Sequence, residues 1–117
     1  MAVSSAGAWS NTTDIIASAV AARLKAVKIR LNPDSTAASY IQIFDSADAT
    51  PGTTAPNDVI YCPAASTAGR DAEMNVNYGG KWYNTGITWF VSTTYNGATA
   101  ATTSAPLLVD VHYTIGA

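Results

Sequence analysis

Between Leu107 and Ile115 the chain alternates without a break. Leu107, Val109, Val111, Tyr113 and Ile115 fall on one side, and Leu108, Asp110, His112 and Thr114 on the other. Period two over nine residues predicts a strand whose odd-numbered side lies on a core. "GITWFVSTTY" repeats the pattern, with Ile87, Trp89 and Val91 set against Thr88, Phe90 and Ser92. Phe90 on the second side predicts partial cover on both. "ASYIQIFD" sets Ile41 and Ile43 against Tyr40, Gln42 and Phe44, and "DVIYC" and "AEMNVN" are shorter strand candidates.

Asp14 to Leu31 reads in two ways. Ile16, Val20, Leu24, Val27 and Leu31 fit a helical stripe among alanines. Val27, Ile29 and Leu31 also alternate with Lys28 and Arg30 ahead of an "NPD" turn. We read two strands, Asp14 to Val20 and Leu24 to Leu31, joined near "AARL", with the helix as the alternative.

Turn residues punctuate the rest at short intervals, in "LNPDS", "ATPGTTAPND", "CPAASTAGRD", "NYGGK" and "YNGATAATTSAP". Short strands with this rhythm predict an all-β, antiparallel β-sandwich. The expected organisation is an N-terminal arm, residues 1–13, followed by one domain, residues 14–117. A chain of 117 residues suits one core. No apolar run approaches the ~20 residues of a membrane span, and "MAVSSAGAWSNTT" has neither the basic nor the long apolar region of a signal peptide.

Charge changes the picture most. Only 12% of residues are charged, against about 25% in an ordinary soluble domain. So little charge is a weak defence against association, and a partner or further copies are expected to cover neutral surface. The six basic residues read as scattered rather than clustered, which predicts no footprint for nucleic acid.

Candidate chemistry is sparse. Asp45, Asp48 and Asp58 lie around "DSADATPGTTAPND", but calcium needs six to eight oxygens at close, regular spacing, so these carboxylates read as turn-makers and no metal is expected. Pro51-Gly52 suits the centre of a type II turn. His112 is the only histidine, beside Asp110, with no nucleophile elbow. Asp71 and Glu73 share one side of a short strand, more as a solvated face than a glycosidase pair. Cys62, the single cysteine, reads as a buried thiol. Gly79-Gly80 reads as a tight turn with no phosphate-binding loop behind it. No catalytic residue and no cofactor is expected. Tyr78, Trp82, Tyr83, Trp89 and Tyr95 gather within eighteen residues and can serve as core, protein interface or sugar platform.

Two longer stretches carry a resemblance. "RLKAVKIRLNPDSTAASYIQIFDSADATPGTTAPNDVI" and "GGKWYNTGITWFVSTTYNG" are similar to a pattern in small β-sandwich virion proteins of tailed bacteriophages. In that pattern a strand beginning near "RL" leads to an "I-x-I-[FY]-D" strand and a "GT-x-x-P" loop. A glycine-containing hairpin, a Thr-rich strand and a closing strand then follow. The likeness spans about Ile15 to Ile115, with "GGKWYNTG" in place of the family's "G-x-x-F" element. It implies a jelly-roll-like sandwich of seven to eight strands, made in the host cytoplasm and carried on the capsid exterior as a cement or decoration protein. The alternative it implies is a head-fibre or tail accessory that binds host surface glycan. The implied partner is the phage major capsid protein, with a homo-oligomer, first a trimer, by analogy with local threefold positions. On this reading Trp9 in the arm and Tyr78, Trp82 and Tyr83 in the hairpin are the interface residues.

Overall fold

The computed structural model describes residues 2–5, 15–31, 38–63, 73–97 and 107–115, the side chains of 2–5, 15–17 and 107 excepted. Its strands are β1 (Ala2–Ser5), β2 (Ile15–Ser18), β3 (Ala22–Leu31), β4 (Ser39–Phe44), β5 (Asp58–Cys62), β6 (Glu73–Tyr83), β7 (Ile87–Ser92) and β8 (Leu107–Ile115). They form two antiparallel sheets, ordered β1-β8-β3-β6 and β2-β7-β4-β5, and no described residue is helical. The all-β, antiparallel expectation holds at that level. One apolar cluster draws on both sheets, joining Leu24, Val27, Ile29, Val109 and Val111 to Ile41, Ile43, Ile60, Trp89 and Val91.

The helical stripe in the sequence has a physical explanation. The register of β3 slips between Leu24 and Ala26 against both neighbours. Lys25 is the extra residue of a bulge, so the inward side changes parity from Ala22 and Leu24 to Val27, Ile29 and Leu31. Two buried leucine and valine side chains three apart thus imitate a helix without forming one.

Gly79 and Gly80 do not make a hairpin turn. Both have positive φ (66° and 86°) but lie inside β6, where Lys81 opposes Leu24 and Asn77 opposes Ala26. Three residues, Tyr78 to Gly80, therefore bulge opposite Lys25. The expected hairpin of β6 and β7 is also absent, because those strands belong to different sheets. Among the described residues only β4 and β5 are both consecutive and paired.

Part of the expected arm is structured: Ala2–Ser5 is β1, paired from Ala2–Tyr113 to Ser5–Asp110. Trp9 lies outside the described residues. In β8 the odd-numbered side is inward at Val109, Val111 and Tyr113, but Ile115, at the strand's end, is 62% exposed. β7 is buried along its whole length. Its second side is covered where Phe90 meets Phe44 and Ala49, brought back by the loop after β4, and where buried Gln42 donates to Thr94 O (2.9 Å) and Gly97 O (3.0 Å).

Candidate functional site

The acidic loop is a structural clasp. Thr53 N and Thr54 N both donate to Thr50 O (3.0 and 2.8 Å), and Gly52 has φ 84°. Pro51 and Gly52 thus occupy the central positions expected of a type II turn. Asp45 Oδ1 and Oδ2 accept from Thr85 N (2.8 Å) and Asn84 N (3.1 Å), capping the turn between β6 and β7 rather than its own loop. Asp58 accepts from Lys81 Nζ at 2.7 and 2.9 Å and from the Tyr83 hydroxyl. Since β5 and β6 are edge strands of opposite sheets, this trio closes one open margin of the core. Among the described residues no three of His, Cys, Asp and Glu come together. Glu73 is exposed, and Asp71 lies outside the described residues.

Burial raises the pKa of Cys62 from 9.0 to about 12. Burial, and then Asp58, raise Tyr78 from 10.0 to about 12. Tyr83 is raised as well, by burial first and its bond to Asp58 second. In each case folding favours the neutral form. That stabilisation is complete below the unfolded pKa and is lost as pH climbs through the folded one. Urea midpoints are therefore expected to fall between pH 9 and pH 12, and native Cys62 to resist iodoacetamide at pH 8 while the denatured chain reacts. Rapid native alkylation would show that the thiol is not enclosed.

The four residues expected at an interface separate. Tyr83 is 1% exposed and belongs to the core, because β6 turns it inward opposite Ala22. Tyr78 is half-buried against the same core. Trp82, one position from Tyr83, faces outward and is 41% exposed. Trp9 is not among the described residues. What the sequence did not indicate is the company Trp82 keeps. Arg23 opposes it in register and stacks its guanidinium 5.1 Å from the indole centroid, held by a bond from Nη1 to Gly80 O (3.3 Å). Ile115 opposes Ala22, and Val20 precedes β3 by two positions; they are 62% and 53% exposed. Trp82 and Arg23 thus form an exposed stacked pair on the outer side of the first sheet, near the end where Val20 and Ile115 are also exposed. Periodicity could not find them, since they come from three separate stretches.

Four of the six basic residues share one face, which corrects their reading as scattered. The bulge at Lys25 leaves Arg23, Lys25, Lys28 and Arg30 all on the outer side of β3, with two shallow depressions among them.

Compared with known proteins, the chain matches no family model, no curated protein and no solved structure. Its function is therefore argued from its own residues.

Proposed function

We propose that this chain is a structural protein of a phage virion, seated on the capsid exterior, where it reinforces contacts between major capsid subunits. The observation that carries the reading is the exposed Trp82–Arg23 stack on a chain with few charges. Tryptophan and arginine are the residue types that most often dominate binding energy at protein interfaces. Covering the exposed part of Trp82 is worth roughly 2 kcal/mol at ~25 cal/mol per Å² of apolar area. That is small per site, but it repeats with every copy on a symmetric shell.

The architecture we propose is an eight-stranded jelly-roll sandwich. Its support is the strand order. β1 pairs with β8, β2 with β7, β3 with β6 and β4 with β5, as if one long hairpin had been rolled into two sheets. Viral capsid domains use such folds, as do lectins, so the surface rather than the fold argues the task. A symmetric homo-oligomer, first a trimer, belongs to the same proposal.

Trp82→Ala and Arg23→Ala chains are expected to fold and yet be lost from capsids at least ~10-fold more readily than wild type, about 1.4 kcal/mol. Particles lacking the protein are expected to assemble but to release DNA at lower temperature. Trp9 is best tested by Trp9→Ala, because deleting the arm would also remove β1. Wild-type retention of both Trp82 and Arg23 variants would rule out this docking surface. Stripped particles with normal heat resistance that fail to adsorb to cells would replace the cement role with the glycan-binding one.

A further inference from the structure

We infer that the outer face of the first sheet holds a second site, for a sugar carrying a phosphate or carboxylate group. The register lays this face out in rows. His112, Ala26 and Asn77 form one row, with Asp110, Lys28 and Asn75 beside it. Ala26 contributes only a methyl group where its neighbours are long. The floor therefore drops, and a depression of about 530 Å³ opens over it, within the size range of small-molecule sites. The bulge adds Lys25 to the rim, in space that a side chain at Gly80 would contest: a Cβ there would lie 3.3 Å from Lys25 Nζ.

Three features define the ligand. Lys25 and Lys28 line the depression, and neither has an ion-pair partner among the described residues. Lys28 is flanked in register by Asp110, but with Lys25 added at the bulge the two ammonium groups outnumber that carboxylate and select an anion. Asn75 and Asn77 offer amides suited to hydroxyl groups. Asn77 Oδ1 already accepts from Gly79 N (2.8 Å), which leaves its NH₂ to donate. The imidazole of His112 lines the same depression, and its Nε2 is buried with no hydrogen-bond partner. A polar atom withdrawn from water without a partner is costly; a ligand reaches this one only as the imidazole turns toward the depression, and the bond then formed recovers that cost. Asp110 and Glu73 line the adjoining 320 Å³ depression with Arg30. Asp110 thus adjoins the site at Lys28, while Lys25 lies three positions along β3 from Lys28.

This site adjoins the Trp82 surface on the same face but uses other residues and does not depend on the capsid reading. The test is a titration of the full chain at low ionic strength, followed by the amide resonances of Asn75 and Asn77 and the imidazole resonances of His112. Glucuronate or glucose 6-phosphate is expected to shift them saturably, with half-saturation at about 1–10 mM. Glucose and inorganic phosphate are expected to bind at least ~10-fold more weakly. Lys28→Gln should weaken binding about 10-fold, and Ala26→Leu, which fills the floor without altering charge, should do the same. Both variants are checked for wild-type spectra elsewhere. Equal binding of glucose would remove the anion from the proposal, and equal binding of inorganic phosphate would remove the sugar. Either result overturns it, as does the absence of any saturable shift.

Discussion

Val111→Asp is expected to leave the chain unfolded, whereas Leu108→Asp, three positions away on the same strand, should fold. Val111 is fully buried between the sheets, opposite Val27. An aspartate there would meet no cation and no water, and the cost is about 4 kcal/mol or more. For a domain of this size that rivals the whole stability, about 5–15 kcal/mol. Leu108 is partly exposed and opposes Arg30, so a carboxylate there should change stability by about 1 kcal/mol or less. Urea titration followed by tryptophan fluorescence separates the two. Equal tolerance would mean that the inward side of β8 has been assigned to the wrong parity.

The second large effect is expected at Asp58. Asp58→Ala removes the acceptor for Lys81 and leaves the hydroxyl of buried Tyr83 without a partner. The two losses together cost roughly 2–3 kcal/mol. Asp58→Asn keeps an acceptor oxygen and should cost about half as much. Lys81→Met should cost about 1 kcal/mol or less, because the Lys81 side chain is 45% exposed and its pairing is screened by solvent. A double-mutant cycle of Asp58→Ala with Tyr83→Phe should give a coupling of at least ~1 kcal/mol. If Lys81→Met proved as damaging as Asp58→Ala, the ion pair rather than the phenol bond would be holding the margin.

These effects divide along what the residues reveal on their own. The inward side of β8 was legible because Val109, Val111 and Tyr113 alternate over an unbroken stretch. β3 was ambiguous because a bulge at Lys25 changes its parity midway, and a bulge leaves no mark except the altered spacing. The same ambiguity hid the basic face, since Lys25 and Ala26 both turn outward only after the slip. Gly79-Gly80 looked like a turn because positive φ serves turns and bulges alike. Only the partner strand distinguishes them, and β6 pairs with β3, some fifty residues earlier. Asp45 was legible as an acceptor but not in its target, the turn at Asn84 and Thr85. Trp82 and Tyr83 could not be told apart by type. Their opposite fates follow from the alternation of β6 beyond its bulge.

The nesting of the strand pairs also bears on how the chain is made. β8 lies in the middle of its sheet, between β1 and β3, yet it is the last of the eight strands to be synthesised. Until Leu107 to Ile115 emerge, β1 has no partner, and the buried side of β3 lacks the neighbour that supplies Val109 and Val111. Only the β4–β5 hairpin can close early from residues close in sequence. The remaining pairs join distant parts of the chain, Ala2 with Tyr113 at the extreme. Such contacts slow folding into the millisecond-to-second range and leave strand edges open meanwhile. These strands therefore remain an incomplete pair of sheets until the last of them has emerged.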